Sequence, residues 1–208
     1  MRKIAFCFIA AFLLLAACFS VSAQVSLGIK AGTSISSFKN DKSGYDPENR
    51  VSVVAGGILT VPLWRKFQLR TELLYTGKGY KVASSAYSLA YTVTHDYITL
   101  PVLLDFSPVK DLHVMLGPEL GYLFKARFRS KGYYENIKDQ YKKVDIGVAG
   151  GIAYTFWKSL GVEVRYNYGL RKLNEYIVPT IGWEPSPVYK VGSNRNLQAG
   201  LYYLFTRH

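Results

Sequence analysis

Apolar and polar residues alternate with a period of two along eight stretches of this 208-residue chain. The clearest is residues 160–171. There Leu160, Val162, Val164, Tyr166, Tyr168 and Leu170 share one face, and Gly161, Glu163, Arg165, Asn167, Gly169 and Arg171 share the other. Successive side chains of a strand point to opposite sides, so such a stretch has one oily and one polar side. The pattern predicts strands over residues 25–37, 50–63, 67–82, 92–107, 112–130, 141–156, 160–174 and 194–206. The connections alternate in length: residues 64–66, 108–111 and 157–159 make tight turns, whereas 39–49, 83–91, 131–140 and 175–193 are long. Tight turns at one rim, long loops at the other and tilted strands of about ten residues between them characterise barrels that cross a bacterial outer membrane. The expected fold is therefore all-β, an eight-stranded antiparallel up-and-down transmembrane β-barrel.

Faces follow from the alternation. In the third stretch Phe67, Leu69, Leu73 and Tyr75 are set toward lipid, with Gln68, Arg70, Glu72, Thr76 and Lys78 inward. The fifth sets Leu112, Val114, Leu116, Leu120, Tyr122 and Phe124 outside, with His113, Gly117, Glu119, Gly121 and Lys125 inside. The sixth sets Val144, Ile146, Val148, Ile152, Tyr154 and Phe156 outside, against Lys143, Asp145, Gly147, Ala149, Gly151 and Ala153. Eight strands enclose a lumen only just wide enough for side chains, so glycine and paired charges suit it. The candidate lumen charges are Lys30, Arg70, Glu72, Asp105, Glu119, Lys125, Asp145, Glu163, Arg165 and Arg171. Each needs a partner to offset its desolvation, which favours a closed salt-bridge network over an ion pathway. Trp64, Phe67, Phe106, Phe156, Trp157 and Phe205 fall near the tight-turn rim, and Tyr75, Tyr80, Tyr122, Phe124 and Tyr168 near the other, as two interfacial girdles would.

The first 23 residues carry a basic start (Arg2, Lys3), an apolar run and a small-residue exit at Val21-Ser22-Ala23. This is the layout of a cleaved signal peptide and places the barrel domain at residues 24–208. The apolar run is short of the roughly 20 residues a membrane anchor needs. Leu15-Ala16-Ala17-Cys18 offers a second processing site, lipidation at Cys18, beside ordinary cleavage after Ala23. Both cysteines, Cys7 and Cys18, precede Gln24, so the mature chain has neither disulfide nor thiolate chemistry. Without Arg2 and Lys3, 24 basic side chains face 14 acidic ones, a formal charge of +10. In a secreted chain that surplus points to an anionic lipid surface and not to nucleic acid. No run of about 18 apolar residues follows the signal, so helical insertion is not expected. Cell-outer-membrane residence follows.

Several segments resemble the PorT-like outer-membrane β-barrel family, a porin-type group of Gram-negative proteins. They are Tyr97-Ile98-Thr99-Leu100-Pro101-Val102-Leu103-Leu104-Asp105-Phe106, Leu116-Gly117-Pro118-Glu119-Leu120-Gly121-Tyr122, Val144-Asp145-Ile146-Gly147 with Gly150-Gly151, and Arg165-Tyr166-Asn167-Tyr168-Gly169-Leu170. The resemblance implies a single integral barrel and no substrate, and one branch implies an accessory role in secretion. Gln198-Ala199-Gly200-Leu201-Tyr202-Tyr203-Leu204-Phe205 resembles the terminal strand read by the barrel-assembly machinery, although Thr206, Arg207 and His208 follow it.

Catalysis finds little support. His95 and Asp96 are strand neighbours on opposite faces, His113 lies near the tight-turn rim and His208 is terminal. Neither a nucleophile elbow nor paired-histidine metal spacing is present, and Gly147, Gly150 and Gly151 open no helix that could cradle a phosphate. No enzyme activity, cofactor or metal is expected. Arg127, Arg129, Lys131, Lys138 and Lys142 fall in and beside the third long connection, which makes them candidates for contact with lipopolysaccharide phosphates. Tyr45, Tyr87, Tyr133, Tyr134, Tyr176 and Trp183 make the long loops candidate contact surfaces. The expectation is a monomeric barrel of structural or interaction type with a filled lumen. Alternatives are a small ion or solute channel, a secretion accessory, and a soluble lipocalin-like barrel with its apolar face turned inward.

Overall fold

The computed structural model describes residues 25–38, 48–82, 90–130, 133–171, 174–177, 188–191 and 193–205. The expected signal peptide, Lys131, Tyr45, Tyr87 and Trp183 lie outside them. The strands are β1 (Ser26–Phe38), β2 (Glu48–Trp64), β3 (Phe67–Val82), β4 (Tyr91–Phe106), β5 (Leu112–Ser130), β6 (Tyr133–Asn136), β7 (Val144–Trp157), β8 (Leu160–Gly169), β9 (Asn174–Ile177), β10 (Val188–Val191) and β11 (Asn194–Leu204). Eight of them run in the order β4-β3-β2-β1-β11-β8-β7-β5, and pairing of β4 with β5 closes the ring. Every barrel pairing is antiparallel. Closure removes the sheet edges that lipid could not satisfy.

All eight expected strands are present. Among the described residues the additional pieces are β6, which extends β5 as a hairpin, the β9 and β10 hairpin, and a 3-10 turn at Lys138–Gln140. The four-residue strands lie inside the long connections. Segments that short carry no period-two pattern long enough to read. At the tight-turn rim Arg65, Asp111 and Lys158 take left-handed backbone with φ of 44°, 68° and 43°. Tight hairpin turns require positive φ, and here they obtain it without glycine.

β8 shows which side faces in. Val162, Val164, Tyr166 and Tyr168 are 42%, 48%, 47% and 40% exposed, whereas Glu163, Arg165 and Asn167 are 2%, 0% and 4% exposed. The same phase holds on β1, with Leu27, Ile29 and Ile35 exposed and Lys30, Ser34 and Ser36 buried. On β7, Ile146, Val148, Ile152 and Tyr154 are exposed over buried Asp145, Ala149 and Ala153. A soluble ligand-carrying barrel arranges its faces the opposite way, so the lipocalin-like alternative is set aside. Exposed Trp64, Phe156, Trp157 and Phe205 ring the tight-turn end, and exposed Tyr75, Tyr166 and Tyr168 mark the other.

β5 departs from the expected phase. Asp96 pairs with Lys125 but Tyr97 pairs with Leu123, so Phe124 is an extra residue in a β-bulge. A one-residue insertion sends every following side chain to the opposite face. Beyond it Ala126 and Phe128 turn inward against Val93, Tyr97, Leu123 and Ile137. Lys125, expected in the lumen, is exposed instead. Two other expectations fail in this region. Tyr80 packs against the interior cluster and not in a girdle, because β3 keeps its even-numbered positions inside. Tyr122 is buried, with the Lys138 ammonium 5.8 Å from its ring centre.

Candidate functional site

The charged lumen is the site the fold builds. β3 and β8 stand four strands apart in either direction around the ring of eight, so their inward side chains meet across its full width. Glu72 on β3 receives a two-pronged contact from Arg165 on β8, at 2.8 Å from Nη1 to Oε2 and 2.7 Å from Nη2 to Oε1. Arg70 Nε donates to Glu72 Oε1 at 2.6 Å, and Lys30 Nζ lies 3.6 Å from Oε2. Glu163 forms the second hub. It accepts from Arg70 Nη2 at 2.6 Å and from Lys30 Nζ, and its Oε1 lies 2.8 Å from Arg165 Nη2. Planar guanidinium forks suit this because each arginine can hold two carboxylates at once.

A second layer lies nearer the long-loop end. Lys78 Nζ is 3.4 Å from Glu119 Oε1 and 3.5 Å from Asp145 Oδ2. Asn167 donates to Glu119, and Asn194 Nδ2 donates to Asp145 Oδ2 at 2.7 Å. A cavity of about 10 Å³ lies between Lys78, Glu119, Asp145, Asn167 and Asn194, room for about one water. Asp145 Oδ1 and Asn167 Oδ1 take no hydrogen bond among the described residues.

Signs decide what these layers do. The first holds Lys30, Arg70 and Arg165 against Glu72 and Glu163, an excess of one positive charge. The second holds Lys78 against Glu119 and Asp145, an excess of one negative charge. Together, four cations face four carboxylates. Burying an ion costs several kcal/mol even after relaxation, and only well-made pairs offset it. Here each carboxylate of the first layer touches three cations, so the network is neutral and spans the lumen.

Apolar layers flank the charges. Ile58, Leu103, Met115, Ala149, Ala153 and Tyr202 form one cluster, and Val93, Tyr97, Leu123, Ala126 and Ile137 form another toward the long loops. Tyr202 supports the charged layer directly: the Arg70 guanidinium lies 4.9 Å from its ring centre, and its hydroxyl bonds Thr155 Oγ1 at 2.7 Å. Gly161 makes room for it, since a Cβ there would come within 2.4 Å of the tyrosine Cζ and hydroxyl. The inner face of Ile137 comes from the connection after β6, which folds back into the mouth.

At the tight-turn rim Asp105 Oδ1 lies 3.1 Å from His113 Nδ1, Gln68 Nε2 donates to Asp105 Oδ2 at 2.8 Å, and Ser107 Oγ lies 3.2 Å from the same Nδ1. A serine, histidine and aspartate relay uses both ring nitrogens, aspartate on one and serine on the other. Both contacts fall on one nitrogen here, so this grouping is not such a relay. His95 is buried on the inward phase, whereas Asp96 faces outward to Tyr75 and Arg127.

Of the ten candidate lumen charges, Lys30, Arg70, Glu72, Glu163 and Arg165 meet in the first layer, Glu119 and Asp145 in the second, and Asp105 at the rim. Lys125 and Arg171 do not join them. The bulge turns Lys125 outward, and Arg171 lies one residue past Leu170 at the open end of β8, exposed, with Nη1 3.4 Å from the Val144 carbonyl. Lys78 and Asn167, expected on the inward faces of β3 and β8 but not among the candidate network charges, and Asn194, which was not among the expected residues, complete the second layer. The inward phase of β11, which buries Asn194, Asn196 and Gln198, was the signal that could have found Asn194. Of the expected lipid-contact residues, Arg127, Arg129 and Lys142 are exposed, Lys138 is buried over Tyr122, and Lys131 lies outside the described residues.

The family described as outer membrane protein beta-barrel domain matches residues 20–175. The chain belongs to that family. No curated protein matches it. Solved barrels share the fold at low identity. Neisserial surface protein A is 17% identical, with 86% of this chain and 97% of that one covered and a TM-score of 0.54. Ail of Yersinia pestis, in complex with the heparin analogue sucrose octasulfate, is 17% identical over 88% and 99%, with a TM-score of 0.52. OprG from Pseudomonas aeruginosa is 12% identical over 89% and 98%, with a TM-score of 0.53. The protein is therefore an outer-membrane barrel of eight strands, and its polar lumen is the inside of that barrel.

Proposed function

We propose that this barrel is a non-conducting structural and interaction protein of the outer membrane, with its long loops outside and its work done at the loops and outer wall. The observation that carries this reading is the two-pronged Arg165 contact to Glu72 across the whole lumen, backed by Arg70, Lys30 and Glu163. A hydrated ion would have to break several charge-assisted hydrogen bonds and expose unpaired charges to pass. The exposed Tyr133 and Tyr134 on β6 give the outer end aromatic contact surface. On this reading the chain has no catalytic activity, works as a monomer, and meets the barrel-assembly machinery during insertion. We also propose that it is PorT-like, a reading supported by the proline step at Pro101 in β4 and the sequence motifs on β5, β7 and β8.

Planar-bilayer recording of the purified, folded barrel tests the reading. Baseline current with rare, brief openings supports it, and a steady large conductance would replace it with a channel.

A further inference from the structure

The bulge at Phe124 does more than close a lumen. It delivers Lys125, Arg127 and Arg129, at three consecutive outward positions of β5, onto the outer wall, and all three are exposed. Only one carboxylate among the described residues bonds this strip: Asp96, opposite Lys125, whose Oδ2 accepts from Arg127 Nη2 at 3.1 Å and whose Oδ1 accepts from the Tyr75 hydroxyl at 3.0 Å. The next acid in register, Glu135, stands opposite inward-turned Phe128 and so leaves from the other face. Arg129 is held by stacking, its guanidinium 5.1 Å from the Tyr134 ring centre, a contact made through the guanidinium face and not through its N–H edge.

The height of the strip identifies its ligand. Phe124 directly precedes Lys125 on the outer wall, and Tyr75, two strands away on β3 at a neighbouring level, brings its ring centre to 6.0 Å from that of Phe124. Such aromatic pairs mark the level where hydrocarbon gives way to headgroups. From Lys125 to Arg129 the strand climbs about 14 Å along its axis and about 10 Å in height at an ordinary tilt. The headgroup layer on one side of a bilayer is about 5–8 Å deep. Lys125 and Arg127 therefore stand within it, and the Arg129 backbone lies just beyond it, with its long side chain able to reach back.

We infer that Lys125, Arg127 and Arg129 form a binding strip for the phosphates of the outer-leaflet glycolipid, with Asp96 orienting the Arg127 fork. This rests on the reading that the long-loop end is the outer one. Three cations in a row that start at headgroup depth and end just above it match phosphates fixed on a lipid better than a polymer held beyond the loops. Guanidinium forks in particular bond phosphate oxygens in pairs.

The test uses the folded full barrel in neutral micelles and measures retention of phosphorylated lipid A by native mass spectrometry, beside dephosphorylated lipid A and a sulfated oligosaccharide. The variant is Lys125→Gln with Arg127→Gln and Arg129→Gln. Its control carries Arg65→Gln, Lys66→Gln and Lys110→Gln, exposed at the opposite rim. The inference predicts a loss of affinity for phosphorylated lipid A of at least about tenfold in the variant, near-unchanged binding by the control, and weakening with added salt. Equal binding of the dephosphorylated lipid, or equal binding by variant and control, overturns it. Preference for the sulfated sugar overturns it in favour of a glycan partner. Heat-modifiable gel migration, run on each sample, separates these outcomes from failure of the barrel itself, which would remove the migration shift. External labelling of Arg129→Cys on intact cells reports which end faces out.

Discussion

Two polar runs in this chain look alike and end on opposite sides of the wall. On β8, Glu163 and Arg165 alternate with apolar residues and point into the lumen. On β5, Lys125, Arg127 and Arg129 alternate with Ala126 and Phe128 and point outward. Inside, each ion is buried and survives only through close partners. Outside, the same residue types keep solvent and headgroups for company. The difference is one inserted residue, Phe124, and it teaches that a polar alternation reveals two faces without saying which is which. Register against the neighbouring strand decides that.

The energetic contrast between these runs can be broken from the inside first. Replacing Glu72 by alanine leaves Arg165, Arg70 and Lys30 short of their shared carboxylate, and should destabilise the barrel by about 3–5 kcal/mol in urea titrations from lipid vesicles. A smaller loss, about 1–3 kcal/mol in the same assay, is expected for Gly161→Val, whose side chain collides with Tyr202 and disturbs the ring under Arg70. The outward run should barely register. Arg127→Gln removes a contact to Asp96 from a side chain that is 45% exposed, worth under about 1 kcal/mol. An Arg127 effect as large as that of Glu72 would erase the distinction between the two regions.

The barrel was legible because eight long alternating stretches and three tight turns leave little choice of architecture. The lumen network was legible to the extent that strands keep an unbroken phase. On β1, β3, β7 and β8 the inward positions of Lys30, Arg70, Glu72, Asp145, Glu163 and Arg165 follow directly from counting by two. Lys125 did not, because a bulge has no composition of its own here: Leu123-Phe124-Lys125 reads as ordinary strand. Asn167 falls on the inward phase by the same count, but its part in the network did not show, nor did that of Asn194, since a search for charges passes over the amides that complete a charge network. The fold-back that buries Ile137 and Lys138 depends on contacts between a loop and the barrel mouth, which no local pattern encodes.

The decisive measurement is a nitroxide scan along β8 in lipid vesicles, one cysteine at a time from residue 161 to 168, with oxygen and a polar nickel complex as relaxants. Oxygen accessibility should peak at positions 162, 164, 166 and 168, with positions 161, 163, 165 and 167 shielded from both. Inverted peaks, or polar-relaxant access at 163 and 165 equal to bulk water, would contradict an oily outside around an ionic interior.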